Sequence, residues 1–236
     1  MPPTVEFRHS GFADVLRHGP PMADRVAGSR SLARWQLLTR TVCHGLGRVE
    51  LAGMDNLPEH GPLIVAVNHT SAMDGALLFA FLGRTISFLV KAEAFEPLHG
   101  VAGRVLIRNA QLPVRRHRID PAPVRLSLRL LCSGGVLGIC PEGRRGDGLV
   151  GQARPGVGYF AVKSGAPVLP VAVHGAATMV PGRGWRRPPV RIVFGPPIRL
   201  AAAGPGPVNR RVWLAATEQI RAELAALVRD TAHRSP

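Results

Sequence analysis

Residues 62–82 constrain this chain more than any other stretch. An apolar, strand-like run, Pro62-Leu63-Ile64-Val65-Ala66-Val67, leads into the polar heptapeptide Asn68-His69-Thr70-Ser71-Ala72-Met73-Asp74. An apolar, helix-like run then covers residues 75–82, so the polar residues sit between a strand and a helix. An imidazole at a strand end, with a carboxylate in the first turn of the next helix, is well placed for general-base chemistry. His takes and returns a proton near neutral pH, and a carboxylate can fix its tautomer and stabilise the imidazolium. The same residues also fit a capping box, with Ser71 at the N-cap and a carboxylate three residues later, which needs no catalysis. The heptapeptide alone leaves both readings open.

A chain of 236 residues suits one large domain, or one domain with a small appendage. With 46% hydrophobic and 19% charged residues it buries a core and falls outside the disordered class. Its net charge of +15 favours anionic partners: nucleic acid, an acidic lipid surface or phosphorylated small molecules. Cys43, Cys132 and Cys140 have no paired spacing, which argues against a disulfide framework or a Cys-rich zinc site and for a reducing compartment. Residues 1–26 mix Glu6, Asp14 and Asp24 with several Arg and carry no apolar stretch of signal-peptide type. No apolar run approaches the roughly 18–20 residues of a spanning helix, so any membrane contact is expected to be peripheral.

Residues 1–28 read as an extended arm. A helix is predicted through Leu32, Trp35, Leu38, Val42 and Leu46, with Arg34 and Arg40 on its other faces. Such a helix packs on the domain or lies in a membrane surface, so residues 1–47 are set apart from a main domain at 48–236. Within that domain, strands are predicted at 48–53, 62–67, 85–90, 111–114, 136–140, 168–173 and 190–194. Helices are predicted after the His69 turn and at 97–107, 121–132, 156–164 and 208–231. The alternation predicts an α/β fold: a mixed, largely parallel sheet flanked by helices, with an N-terminal helical arm. Neither a glycine-rich phosphate loop nor a dinucleotide fingerprint is present.

A second constellation, Pro141-Glu142-Gly143-Arg144-Arg145, follows the strand at 136–140. In open α/β sheets that edge is where ligands bind. A carboxylate beside a glycine and two guanidinium groups can hold a polyol hydroxyl and a phosphate together, since the planar fork of Arg donates two parallel hydrogen bonds. A solvated turn, with glycine for the bend, is the alternative.

With both motifs in this order, the chain resembles the lysophosphatidic acid (1-acyl-sn-glycerol-3-phosphate) acyltransferase family. The family's first motif, Asn-His-x-x-x-x-Asp, stands here as Asn68 to Asp74, and its third, Phe-Pro-Glu-Gly-Thr-Arg, is similar to Cys140-Pro141-Glu142-Gly143-Arg144-Arg145. The second, an apolar strand ending in Arg, fits Leu112-Pro113-Val114-Arg115; the fourth fits Val168-Leu169-Pro170-Val171. Lys91-Ala92-Glu93 also agrees, and the likeness covers residues 49–197. It implies that His69 and Asp74 are catalytic and that Arg115, Glu142, Gly143 and Arg145 contact the acceptor. Cys140 stands for an aromatic, Arg144 for Thr, and Gln111 where the family often has Gly.

The activity so implied is transfer of a fatty acyl group from acyl-CoA or acyl-carrier protein to a lysophospholipid hydroxyl. The acceptor is expected to be 1-acyl-glycerol-3-phosphate, or another lyso-lipid such as an amino-acid lipid. No metal and no cofactor beyond the thioester co-substrate are expected, and the protein is placed in the cytoplasm, peripheral on the inner face of an anionic membrane. In the expected mechanism His69 is the base, Asp74 holds its ring, and amides near the start of the following helix stabilise the oxyanion. Ser71 lacks the Gly-x-Ser-x-Gly elbow of a hydrolase, Cys140 reads as a buried strand thiol, and His174 lines the site or is structural. The arginines Arg104, Arg108, Arg115, Arg116, Arg118, Arg125 and Arg129 surround the second motif and suit a lipid-phosphate surface. The rival classes are a nucleic-acid-binding protein, opposed by an aromatic content of 5%, and a non-catalytic lipid-binding domain.

Overall fold

A computed structural model of the protein describes residues 30–92, 111–114, 121–179, 187–203 and 206–232. The order of elements is α1 (Arg30–Leu46), β1 (Arg48–Ala52), β2 (Leu63–Val67), α2 (Met73–Phe81), β3 (Ile86–Lys91) and β4 (Leu112–Val114). It continues with α3 (Pro121–Cys132), β5 (Val136–Ile139), α4 (Gly156–Ser164), β6 (Val168–His174), β7 (Pro189–Phe194) and α5 (Arg210–Ala232). The helix expected at 97–107 lies outside the described residues, as do Arg104, Arg108, Arg115, Arg116 and Arg118.

All seven strands join one sheet in the order β1-β7-β6-β2-β5-β3-β4. Every pairing is parallel except β6 with β7, which is antiparallel. The mixed, largely parallel sheet expected from the sequence is therefore present. β2 lies at the centre and every residue of it is buried. Successive side chains alternate between faces: Leu63, Val65 and Val67 pack beneath α2, while Ile64 and Ala66 pack with residues of α3, α4 and α5. Burial on both faces explains a strand with no polar position at all.

The first helix joins one of these layers. Cys43 is buried, Trp35 and Leu46 pack on the core, and the Arg40 guanidinium lies 5.4 Å from the Phe81 ring centre. His44 meets the same ring edge-on at 5.1 Å. Burial pushes the Cys43 thiol up to about 11, so it behaves as a small apolar side chain.

Arg84, in the turn before β3, ties together the loops at the opposite edge of the sheet from the polar motifs. Its guanidinium donates to the carbonyls of Pro58, Gly61 and Gly134. Carbonyls at strand starts and helix ends lack ladder partners, and one forked cation satisfies three of them. Arg84→Ala is expected to lower stability by about 1.5–3 kcal/mol, the worth of hydrogen bonds to a charged group. Urea denaturation checks this, and a variant as stable as wild type contradicts it.

Candidate active site

The end of β2 is pinned before the site begins. Asn68 is buried, and its side chain imitates a strand residue: Nδ2 donates to the Val173 carbonyl at 3.0 Å while Oδ1 accepts from the Val173 amide at 2.8 Å. The ladder to β6 is thereby prolonged by one residue, and the chain turns out of the sheet at His69.

One carboxylate oxygen then organises the turn. Asp74 Oδ2 lies 2.9 Å from His69 Nδ1 and accepts the backbone amides of Thr70 and Ser71, each at 2.8 Å. Oδ1 accepts the Thr70 hydroxyl at 3.3 Å. Asp74 is 1% exposed and the His69 side chain 22%. A carboxylate oxygen offers only lone pairs, so Nδ1 carries the ring proton and Nε2 keeps its lone pair. Half of the capping box is present as well: Asp74 receives the Ser71 amide, while Ser71 Oγ accepts the Met73 amide at 3.2 Å and the Asp74 amide goes to the Ser71 carbonyl. The geometry that each reading of the heptapeptide requires of Asp74, contact with the imidazole and with the turn amides, is present in the same side chain.

β5 is the parallel neighbour of β2, so its C-terminal end opens on the same edge. There the turn that begins at Pro141 grips the His69 backbone from both sides. The Gly146 amide donates to the His69 carbonyl at 2.8 Å, and the His69 backbone hydrogen-bonds the Glu142 carboxylate. Glu142 Oε1 is buried with no partner among the described residues. Burial pushes this carboxyl above its ordinary range, against the opposing pull of the His69 backbone and imidazole.

Next to His69 lies a cavity of about 300 Å³. Its walls are largely apolar, with Phe88, Leu89, Ile139, Val157 and Phe160 prominent, and Cys140, Pro141, Gly143 and Arg154 complete the rim. Gly138 on β5 makes room for the Phe88 ring, since a Cβ there would lie 2.4 Å from it.

The structure therefore brings His69, Asp74, Glu142 and Gly143 together. Arg145 and Arg144 are exposed on the same turn, and neither lines the cavity. Arg115 lies outside the described residues; Val114, one residue before it, lines the cavity. His174 is structural: its Nε2 lies 2.8 Å from Thr231 Oγ1, whose hydroxyl donates to the Leu227 carbonyl. Gln111 is buried and bonds the Phe88 amide and the Ile86 carbonyl, so it extends the β3–β4 edge where a glycine could not.

One expectation, that amides near the start of the following helix stabilise the oxyanion, is narrowed by four of them. The amides of Thr70, Ser71, Met73 and Asp74 all donate within the turn, to Asp74 Oδ2, Ser71 Oγ and the Ser71 carbonyl. The start of the helix after His69 has spent these donors on its own cap and offers none of them to an oxyanion. Sequence reasoning also passed over Arg154, which nothing in its spacing separates from the other basic residues.

The fold and this arrangement define an acyltransferase of the α/β type, and the comparisons agree: the Acyltransferase family model matches residues 48–174. The chain belongs to that family. It is 30% identical over 216 residues to a 1-acyl-sn-glycerol-3-phosphate acyltransferase of Pseudomonas aeruginosa, covering 84% of this chain and 78% of that one. A Bacillus subtilis relative of the same name is 26% identical over 183 residues, covering 77% and 88%. The crystal structure of the 1-acyl-sn-glycerophosphate acyltransferase from Thermotoga maritima superposes with a TM-score of 0.64 over 94% of this chain and 91% of that one. At 23% identity that likeness bears on the fold alone.

The strained position of Glu142 has a measurable sign. A carboxyl whose folded value lies above the ordinary 4.5 is protonated more readily in the folded than in the unfolded chain. Its contribution to stability therefore falls as pH rises from the ordinary value through the folded one. Glu142→Gln is expected to melt above wild type at pH 8, with the difference narrowing as pH is lowered toward 4.5. A variant that melts below wild type at pH 8 contradicts this.

Proposed function

We propose that this protein transfers a fatty acyl group from acyl-CoA or acyl-carrier protein to the free hydroxyl of a lysophospholipid, with 1-acyl-glycerol-3-phosphate as the acceptor. The observation that carries the reading is the His69–Asp74 pair, hydrogen-bonded at 2.9 Å beside an apolar cavity. His69 Nε2 takes the proton of the acceptor hydroxyl as that oxygen attacks the thioester carbonyl carbon. The carbon–sulfur bond breaks, and the leaving thiolate takes the proton back from Nε2. Asp74 keeps Nδ1 protonated and offsets the charge that the ring gains. The thioester brings its own activation, so no cofactor enters the step.

The acyl chain lies against Phe88, Leu89, Ile139, Val157 and Phe160. The acceptor headgroup rests on Glu142, Gly143 and Arg145, with Arg115 beyond β4. The unpartnered Glu142 Oε1 supports this placement, because a buried acceptor atom gains from any hydroxyl brought to it. The protein works on the cytoplasmic face of an anionic membrane. In support, α1 turns Leu37, Leu38 and Val42 outward together with Arg34 and Arg40, as an interfacial helix does. No helix among the described residues is long and apolar enough to cross a membrane.

The test is acyl transfer by purified protein, with acyl-CoA and a panel of phosphate-bearing and phosphate-free lyso-lipids. His69→Ala is expected to lower kcat by about 10²–10⁴-fold, the usual contribution of a positioned base, while circular dichroism stays that of wild type. Activity within a few-fold of wild type overturns the mechanism.

Asp74→Asn separates the cap from the orienter. The amide oxygen of Asn still accepts the Thr70 and Ser71 amides, so stability should fall by about 1 kcal/mol or less. The hold on His69 Nδ1 weakens, and turnover should drop steeply. A melting temperature that falls while kcat holds would leave Asp74 as a cap alone.

A further inference from the structure

Among the described residues that line the cavity, Arg154 is the one with a permanently charged cationic side chain. It stands outside the motifs that carry the family resemblance, yet its backbone is bonded to the third of them and its side chain lies over it. Its backbone amide donates to the Pro141 carbonyl at 2.7 Å. Its side chain lies across Gly143: a Cβ on Gly143 would come within 2.5 Å of Arg154 Cδ and Nε. Gly143 also has φ +67, a conformation that side chains disfavour. The glycine thus vacates the space through which Arg154 reaches the cavity.

The guanidinium has no ion-pair partner among the described residues. Arg84 and Arg221, by contrast, are spent on carbonyls and on Glu218. Arg144 and Arg145 stand on the exposed loop and do not reach the cavity wall. Arg154 is exposed like them, but its guanidinium lines the same cavity as His69, and a guanidinium free to pair matches a phosphate, which accepts two parallel hydrogen bonds from its fork.

We propose that Arg154 is a specificity residue that binds the phosphate of the acceptor lipid at the cavity mouth. The proposal rests on the acyltransferase reading above. It assigns the phosphate to the acceptor because Arg154 is seated on the turn where that reading places the acceptor headgroup.

The experiment compares wild type, Arg154→Ala, Arg154→Lys and Arg144→Ala. Acceptors are 1-acyl-glycerol-3-phosphate and the phosphate-free 1-acylglycerol; donors are acyl-CoA and acyl-pantetheine. Arg154→Ala should raise KM for the phosphate-bearing acceptor at least about tenfold, as loss of a charge-assisted hydrogen bond predicts. Its KM for 1-acylglycerol and for both donors should stay within about twofold of wild type. Lys should recover part of the loss, and Arg144→Ala should match wild type. An equal rise in KM for both acceptors overturns the proposal. So does a rise confined to acyl-CoA and absent with acyl-pantetheine, which places the phosphate on the donor.

A second readout stands apart from catalysis. Glycerol 3-phosphate should raise the melting temperature of wild type and not of Arg154→Ala. If neither lipid is acylated by wild type, the acyltransferase reading fails, and this shift alone decides the anion subsite; equal shifts in both proteins overturn it.

Discussion

Both faces of β2 are covered and both its edges are paired, so a polar residue can follow it only where the strand leaves the sheet. That constraint places the site. The parallel partner β5 leaves at the same edge, and two polar segments more than 60 residues apart in sequence meet there. Asn68 carries the β6 ladder one residue further than the strand itself, which fixes where the chain departs. A slip of one residue in this pairing would turn every buried side chain of β2 to the opposite layer, and His69 with them.

Much of this was legible because the strands are buried on both faces. An uninterrupted apolar run that ends in Asn-His or Pro-Glu has few other places to go. The sheet order was not legible, since strand neighbours are chosen by packing between segments far apart in the chain; β7 enters antiparallel beside β6 with no local mark. The cavity was hidden for the same reason. Phe88, Val157 and Phe160 come from three different elements, and each looks like ordinary core in isolation. Arg154 carries no local signal either. Only the Gly143 backbone and the lack of an ion-pair partner among the described residues distinguish it, and both are facts of three dimensions.

The bonds of a helix cap and those of a ring orienter coincide at Asp74. One oxygen accepts two backbone amides and the imidazole together. The cap holds the carboxylate still, and a still carboxylate can hold the ring. The cost of that economy falls on the amides of the first helical turn. A sequence pattern alone would assign them to an oxyanion, yet those of Thr70, Ser71, Met73 and Asp74 are already occupied. Gln111 makes a comparable point: its side chain bonds the Phe88 amide and the Ile86 carbonyl as a strand backbone would.

Glu142 and Gly146 hold the main chain of His69 from either side, and this has a mechanical consequence. The imidazole is anchored through its ring to Asp74 and through its peptide groups to the opposite loop. The turn that begins at Pro141 and the backbone of His69 are therefore coupled through two hydrogen bonds, independently of the bond that holds the ring. A movement of either segment is transmitted to the other through the main chain rather than through the side chains that line the cavity.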